Sequence, residues 1–168
     1  MSDGLESFLP LVAAWFRSNV GEPSPPQVKG WPAILRGENT LIAAPTGSGK
    51  TLAAFMVTLD RLIRAGLKGE LEEGVDTLYV SPLKALVNDI QKNLQLPLAE
   101  MSKMSVAAGE KFPELRVGLR TGDTPPAERQ RMLRHPPHIL VTTPESLYLL
   151  LCSAKGQVLL GNVKTIIV

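Results

Sequence analysis

Apolar positions along this chain fall into two rhythms, three- and four-residue steps and short unbroken runs, and the rhythms alternate. Leu5, Phe8, Leu9, Val12, Phe16 and Val20 recur at helical spacing, which predicts an amphipathic helix ending at Gly21, with Pro10 starting or kinking it. The proline-rich stretch Glu22-Pro23-Ser24-Pro25-Pro26 then breaks regular structure, and residues 27–35 resume as a short helix before Gly37. Residues 39–44 form a short apolar run suited to a buried strand. After it Leu52, Phe55, Met56, Leu59, Leu62 and Ile63 mark the face of a helix that closes at Gly66.

The alternation continues downstream. Residues 77–80 read as a second strand, followed by a helix opening at Pro82 with Leu83, Leu86, Val87, Ile90 and Leu94 as its apolar stripe. Another helix is expected over residues 98–108, then a third strand at 115–119 and a helix at 125–134. A fourth strand at 139–141, a helix at 144–151 and a fifth strand at 165–168 complete the pattern. Strands alternating with helices, the strands short and wholly apolar, predict an α/β fold with a mostly parallel sheet and helices on both faces.

Composition narrows the classes that fit. The chain's 168 residues match about one domain, and 44% hydrophobic content is that of a globular protein. A formal charge of +2 is too small for a whole-surface electrostatic binder of nucleic acid, so any polymer contact is local. The single cysteine, Cys152, excludes an internal disulfide framework; following the apolar run at 147–151, it is expected to be a core thiol. His135 and His138 lack metal-ligand spacing with it and are expected in a loop beside the prolines. Asp3 and Glu6 near the start, without a basic leader, argue against a signal peptide, and the longest apolar stretch is short of a membrane span. The expected location is cytoplasmic.

The most informative chemistry lies between the predicted first strand and the helix after it. Residues 44–51 read A-P-T-G-S-G-K-T, a phosphate-binding loop of the Walker A kind with Ala44 at the usual first glycine position. Gly47 and Gly49 let the backbone curl so that the N–H groups from Thr46 through Ser48 and Gly49 converge, and the following helix adds its positive end. Lys50 is placed to reach the β- and γ-phosphates of a nucleotide, and the Thr51 hydroxyl to ligate magnesium. The same glycines would serve a plain helix-capping turn, but strand, loop and helix together are the context that phosphate binding requires.

Three further segments end predicted strands: Ser81-Pro82-Leu83-Lys84, Arg120-Thr121-Gly122-Asp123 and Thr142-Thr143-Pro144-Glu145. Each offers hydroxyls, helix-start N–H groups or one basic residue, the groups that contact phosphate without reading bases. Each taken singly is better explained as a helix cap or turn.

In order, A-P-T-G-S-G-K-T, S-P-L-K-A-L, R-T-G-D-T and T-T-P-E-S-L resemble the first RecA-like domain of superfamily 2 helicases. The surrounding W-P-A-I, Y-V-S-P-L-K-A-L-V-N-D-I and E-R-Q-R-M-L-R-H-P-P-H-I-L-V-T-T-P-E-S-L-Y-L-L-L resemble the large helicase-related (Lhr-like) DEAD/DEAH-box group. The resemblance runs from Phe16 onward and implies a RecA-like P-loop NTPase domain over residues 27–168, preceded by an N-terminal helix and proline-rich lead-in over 1–26. It implies ATP and Mg2+ as cofactors, with Gln27 as the glutamine whose amide meets adenine and Phe16 as an aromatic beside the base. It implies that Pro82, Leu83, Lys84, Thr121, Gly122, Thr143 and Pro144 hold one nucleic-acid strand, DNA favoured over RNA, by its backbone. The family's DExH box would follow residues 165–168, and no position here matches it, nor the second RecA-like domain. The expectation is the ATP-binding portion of a helicase that binds nucleotide without hydrolysing it or unwinding; the alternative is a non-catalytic nucleotide- or nucleic-acid-binding module acting through a partner.

Overall fold

A computed structural model of the chain describes residues 4–82 and 90–168. The chain divides into two compact units, one of Met1–Glu70 with Lys92–Pro113 and the other of Leu71–Gln91 with Glu114–Val168. The predicted apolar stripe at Leu83, Leu86 and Val87 lies outside the described residues, as do Leu83 and Lys84 as strand contacts.

The first unit is helical. A 3-10 turn at Leu5–Ser7 precedes α1 (Pro10–Asn19), and Pro10 starts this helix rather than kinking it, because a first-turn N–H needs no intrahelical partner. Helix α2 spans Pro25–Leu35. Pro25 and Pro26 therefore begin a helix where the sequence pattern suggested only interruption; Ser24 is the N-cap, and the Gln27 carboxamide oxygen accepts the Ser24 N–H at 2.8 Å. Helix α3 runs Lys50–Lys68, through Gly66, and stops at Gly69, whose φ of 72° supplies the left-handed cap. Gln91–Gln95 forms one wide π turn leading into α4 (Leu96–Ala107).

These helices close over an aromatic cluster. Trp31 is fully buried and takes Phe8 edge-on at 5.0 Å and Phe16 edge-on at 5.5 Å between ring centroids. Its indole N–H donates to the Ala53 carbonyl at 3.1 Å, which joins α2 to α3. Asp60 is also buried, and it is paired: one carboxylate oxygen accepts the Leu9 N–H at the start of α1 and the other accepts Arg64 Nε, both at 2.6 Å. Phe16 has no exposed surface, so the expected stacking beside an adenine base is replaced by a core role.

The second unit is a parallel sheet with its helices. Strands β1 (Thr77–Val80), β2 (Val117–Arg120), β3 (Ile139–Thr142) and β4 (Thr165–Ile167) lie in the order β2-β3-β1-β4. The two inner strands, β1 and β3, are buried at every position, as their unbroken apolar sequence requires, while β2 and β4 at the edges are partly exposed. Leu78, Val80 and Leu140 on the sheet pack with Met132 of α5 (Pro126–Arg134), Leu150 of α6 (Pro144–Leu151) and Leu159 of α7 (Ala154–Leu160). This is the expected parallel α/β architecture.

Several expectations give way. Residues 39–44 are not a strand: they pair with none of the four described strands, and Leu41 is 93% exposed. An apolar run becomes a strand only where a neighbour completes its ladder, and none of the described strands does so here. Cys152 is exposed rather than core, as are Tyr148, Leu149 and Leu151. With about 100° of rotation per residue, α6 turns Leu147 and Leu150 inward and the rest of its apolar run outward. His138 does lie in the loop beside the prolines, as expected, but it is buried there; its Nδ1 accepts the Arg116 N–H at 3.0 Å beside the start of β3. Helix α7, unanticipated from the pattern, begins at Ser153, whose hydroxyl accepts the Gly156 N–H at 3.1 Å.

Candidate nucleotide and strand sites

The candidate phosphate loop lies between residues 39–44, which form no regular element, and α3, and its backbone shape depends on two glycines. Gly47 and Gly49 have φ of 82° and 81°, left-handed values that other residues adopt only with strain. At Gly49 close packing adds to the requirement, since a Cβ there would stand 2.5 Å from Gln27 Nε2. Gly49 is also the N-cap of α3 and brings no side-chain cap, so the first-turn N–H groups of a 19-residue helix are left for another acceptor.

The loop is held from behind by α2. Ser24 Oγ donates to the Ser48 carbonyl at 2.8 Å, and Gln27 Nε2 donates to the Gly49 carbonyl at 3.3 Å. Gln27 is 2% exposed, and with its oxygen on Ser24 N–H, one N–H and one lone pair of its amide are uncommitted. Ser24 was absent from the sequence-based site. The S-x-x-Q spacing of a capping box was the available signal, obscured by two prolines that read as a breaker.

Lys50 Nζ donates to the Ala44 carbonyl and, at 2.7 Å, to the Pro45 carbonyl, so its ammonium folds across its own loop. Ser48 Oγ is buried and has no hydrogen-bond partner among the described residues. An ammonium resting on backbone carbonyls, an orphaned hydroxyl and an uncapped helix start are the groups a polyphosphate satisfies, so the residues present fit the phosphates of ATP. Thr51 would give magnesium one protein oxygen, in keeping with an ion that keeps most of its shell as water and phosphate. No group of three or more potential metal-ligating side chains occurs among the described residues.

The strand-ending segments belong to the second unit. Val80, Arg120 and Thr142 stand level in the parallel register, so Ser81, Thr121 and Thr143 leave the sheet along one edge, Thr143 in the middle. Neighbouring strands are about 4.8 Å apart, which spaces these three exits evenly. All three hydroxyl residues are buried. Thr121 Oγ1 accepts the Asp123 N–H at 3.3 Å, and Thr124 Oγ1 accepts the Thr121 N–H at 2.8 Å, shaping the R-T-G-D-T turn. Thr143 caps α6 by accepting the Ser146 N–H at 3.3 Å. Pro82, Gly122 and Pro144 are exposed. Arg129, which the sequence pattern assigned only to the basic end of its helix, donates from Nε to the Thr124 carbonyl at 2.7 Å and from Nη2 to the Gly122 carbonyl at 2.6 Å.

The DEAD/DEAH box helicase family profile matches residues 24–168. The chain is 47% identical over 167 residues to the Lhr helicase/probable uracil glycosylase of Mycolicibacterium smegmatis, covering 99% of this chain and 11% of that protein. It is 49% identical over 159 residues to the ATP-dependent helicase Lhr-Core of Saccharolobus solfataricus, covering 95% of this chain and 18% of the relative. Among solved structures, Mycobacterium smegmatis helicase Lhr bound to ssDNA and AMP-PNP superposes with a TM-score of 0.87 at 45% identity, over 98% of this chain and 20% of that one. The chain thus spans a fifth or less of the length of these relatives. Its glycine-shaped phosphate loop, its parallel sheet with hydroxyl-bearing exits and a profile match running through both place the chain in the DEAD/DEAH box helicase family.

Proposed function

We propose that this chain is the ATP-binding first portion of an ATP-driven nucleic-acid translocase and that by itself it binds Mg-ATP without turning it over. The phosphate loop supports the reading: two left-handed glycines, an uncapped α3 and a Ser48 hydroxyl without a partner among the described residues would suit one bound anion. Thr46, Gly47, Ser48 and Gly49 would offer backbone N–H groups, Lys50 its ammonium once released from the Ala44 and Pro45 carbonyls, and Thr51 its hydroxyl to magnesium. Gln27 would present its uncommitted N–H and lone pair to the adenine edge while keeping its hold on Gly49. Bound Mg-ATP supplies the phosphoanhydride whose cleavage powers movement in the full protein.

The second half of the proposal concerns the strand. Thr121, Gly122, Thr143 and Pro144 at one sheet edge, with Pro82, Leu83 and Lys84 after β1, would hold a single strand by its backbone. DNA is favoured because the Lhr structure similar to this chain holds ssDNA. Residues 1–168 contain no D-E-x-H run, so the carboxylates that orient magnesium and water, and the second RecA-like domain that closes the site, would come from elsewhere.

Steady-state phosphate release tests this, with and without single-stranded DNA and with Lys50→Ala as the contamination control. No turnover above the control is expected. Robust turnover that Lys50→Ala abolishes would mean a carboxylate already present, such as Asp123 or Glu145, does the work of the DExH box, and the proposal would fall.

A further inference from the structure

A cavity of about 360 Å3 opens in the second unit between α5 and the turn joining α6 to α7. Its walls include Leu133 and Leu150, and its charged lining consists of Arg120, Arg129 and Lys155, with no carboxylate among the lining residues. Arg129 is fixed by its two bonds to the Gly122 and Thr124 carbonyls. Arg120 ends β2, where its carbonyl accepts the Thr142 hydroxyl at 2.7 Å. Neither the Arg120 guanidinium nor the Lys155 ammonium has an acidic partner among the described residues.

Two other cations in this unit do meet carboxylates: Arg116 meets Glu73 at 2.5 Å and Lys164 meets Glu72 at 2.9 Å. In the cavity two guanidiniums share partly dehydrated space with no carboxylate partner among the described residues. Burial, and then the charge of Arg129, pull the Arg120 pKa below its usual value, the response of a cation short of an anion. A tetrahedral oxyanion relieves the repulsion, and guanidinium forks match phosphate geometry. The apolar walls suit the sugar of a nucleotide more than a free, fully hydrated ion.

We infer that the cavity takes a phosphodiester of the bound nucleic-acid strand, gripped by Arg120, Arg129 and Lys155 beyond the contacts of the motif loops. The inference rests on the strand reading of the proposed function. It is favoured over a free phosphate compound because Arg129 is hydrogen-bonded to the Gly122 carbonyl and Arg120 precedes Thr121, so the cavity is continuous with the turn assigned to the strand. Backbone charge contacts should therefore extend past the sheet edge onto α5 and α7.

Fluorescence anisotropy of a labelled oligothymidylate, titrated with this chain over a range of salt, provides the test. Lys155→Glu at an exposed position should leave the melting temperature unchanged, and Arg120→Ala serves as the second variant. Each should weaken binding about 10-fold at low salt and flatten the slope of log affinity against log salt by about 0.7, one phosphate contact on a single strand. Amide NMR shifts of Ser153 and Gly156 on adding inorganic phosphate form the other arm. Phosphate-induced shifts with unaltered oligonucleotide binding in both variants would assign the cavity to a free phosphate compound and overturn the strand contact. Unaltered binding without such shifts would overturn the site and leave the motif-loop reading standing. A wild-type chain that binds no oligonucleotide even at low salt would overturn that reading and this contact together.

Discussion

Gln27 Nε2 donates to the Gly49 carbonyl at 3.3 Å, and the same nitrogen would lie 2.5 Å from any Cβ placed on Gly49. The third residue of α2 thus fixes the residue that starts α3 and depends on its having no side chain. Gly49→Ala should lose nucleotide binding, because it must displace Gln27 and also hold a left-handed φ costing about 1–2 kcal/mol. Gln27→Ala in the same chain should restore part of the stability by removing the clash, while the backbone strain stays. Melting curves of the two single variants and the double variant check this; additive losses would show that the two residues do not interact.

Gln27 also bears on base choice. A carboxamide that offers one donor and one acceptor matches the N6–H donor and N7 acceptor of adenine, whereas guanine presents two acceptors, O6 and N7, on that edge. Gln27→Ala should therefore weaken ATP more than GTP, with a smaller loss common to both from loosening of the loop. Competition titrations read the difference, and equal losses would confine Gln27 to positioning the loop.

His138 sets a pH dependence in the second unit. Burial first, and then the charge of Arg116, hold its pKa below the ordinary imidazole value, against the opposing pull of Glu73, Asp76 and Glu114. Its Nδ1 accepts the Arg116 N–H, and protonation there would destroy that bond. Since the unfolded chain binds the proton more readily, this contribution to stability is complete above the unfolded pKa of about 6.5 and is lost as pH falls through the lower folded value. Urea midpoints measured between roughly pH 7 and 5 should fall more steeply for wild type than for His138→Ala. Identical slopes would exclude His138 as the group responsible.

Much of the second unit was legible because its signals are local. The strand at 77–80 and the helices at 125–134 and 144–151 lie within a residue of their expected places, each helix marked by a first-turn proline. The left-handed backbone at Gly47 and Gly49 was legible for a different reason: two glycines spaced this way just before a helix mark positions where other residues would be strained. Residues 39–44 were misread because hydrophobicity reports willingness to be buried and says nothing of whether a ladder partner is at hand. Cys152 was misplaced because an unbroken apolar run conceals which side of a helix faces inward. The S-x-x-Q spacing could have marked Ser24 as a helix cap, but its grip on Ser48, like that of Arg129 on Gly122, joins a side chain to a backbone carbonyl brought near only by folding.

The central claim is that residues 44–51 seat the phosphates of ATP through Lys50. Calorimetric titration of the chain with Mg-ATP, wild type beside Lys50→Ala, tests it most directly. Among the described residues Lys50, half-buried, bonds only to the Ala44 and Pro45 carbonyls of its own loop, so the variant should melt within about 1 kcal/mol of wild type. Saturable binding by wild type and none by the folded variant is the expected result. A wild-type chain that gives no binding, or a Lys50→Ala chain that binds equally well, would contradict it.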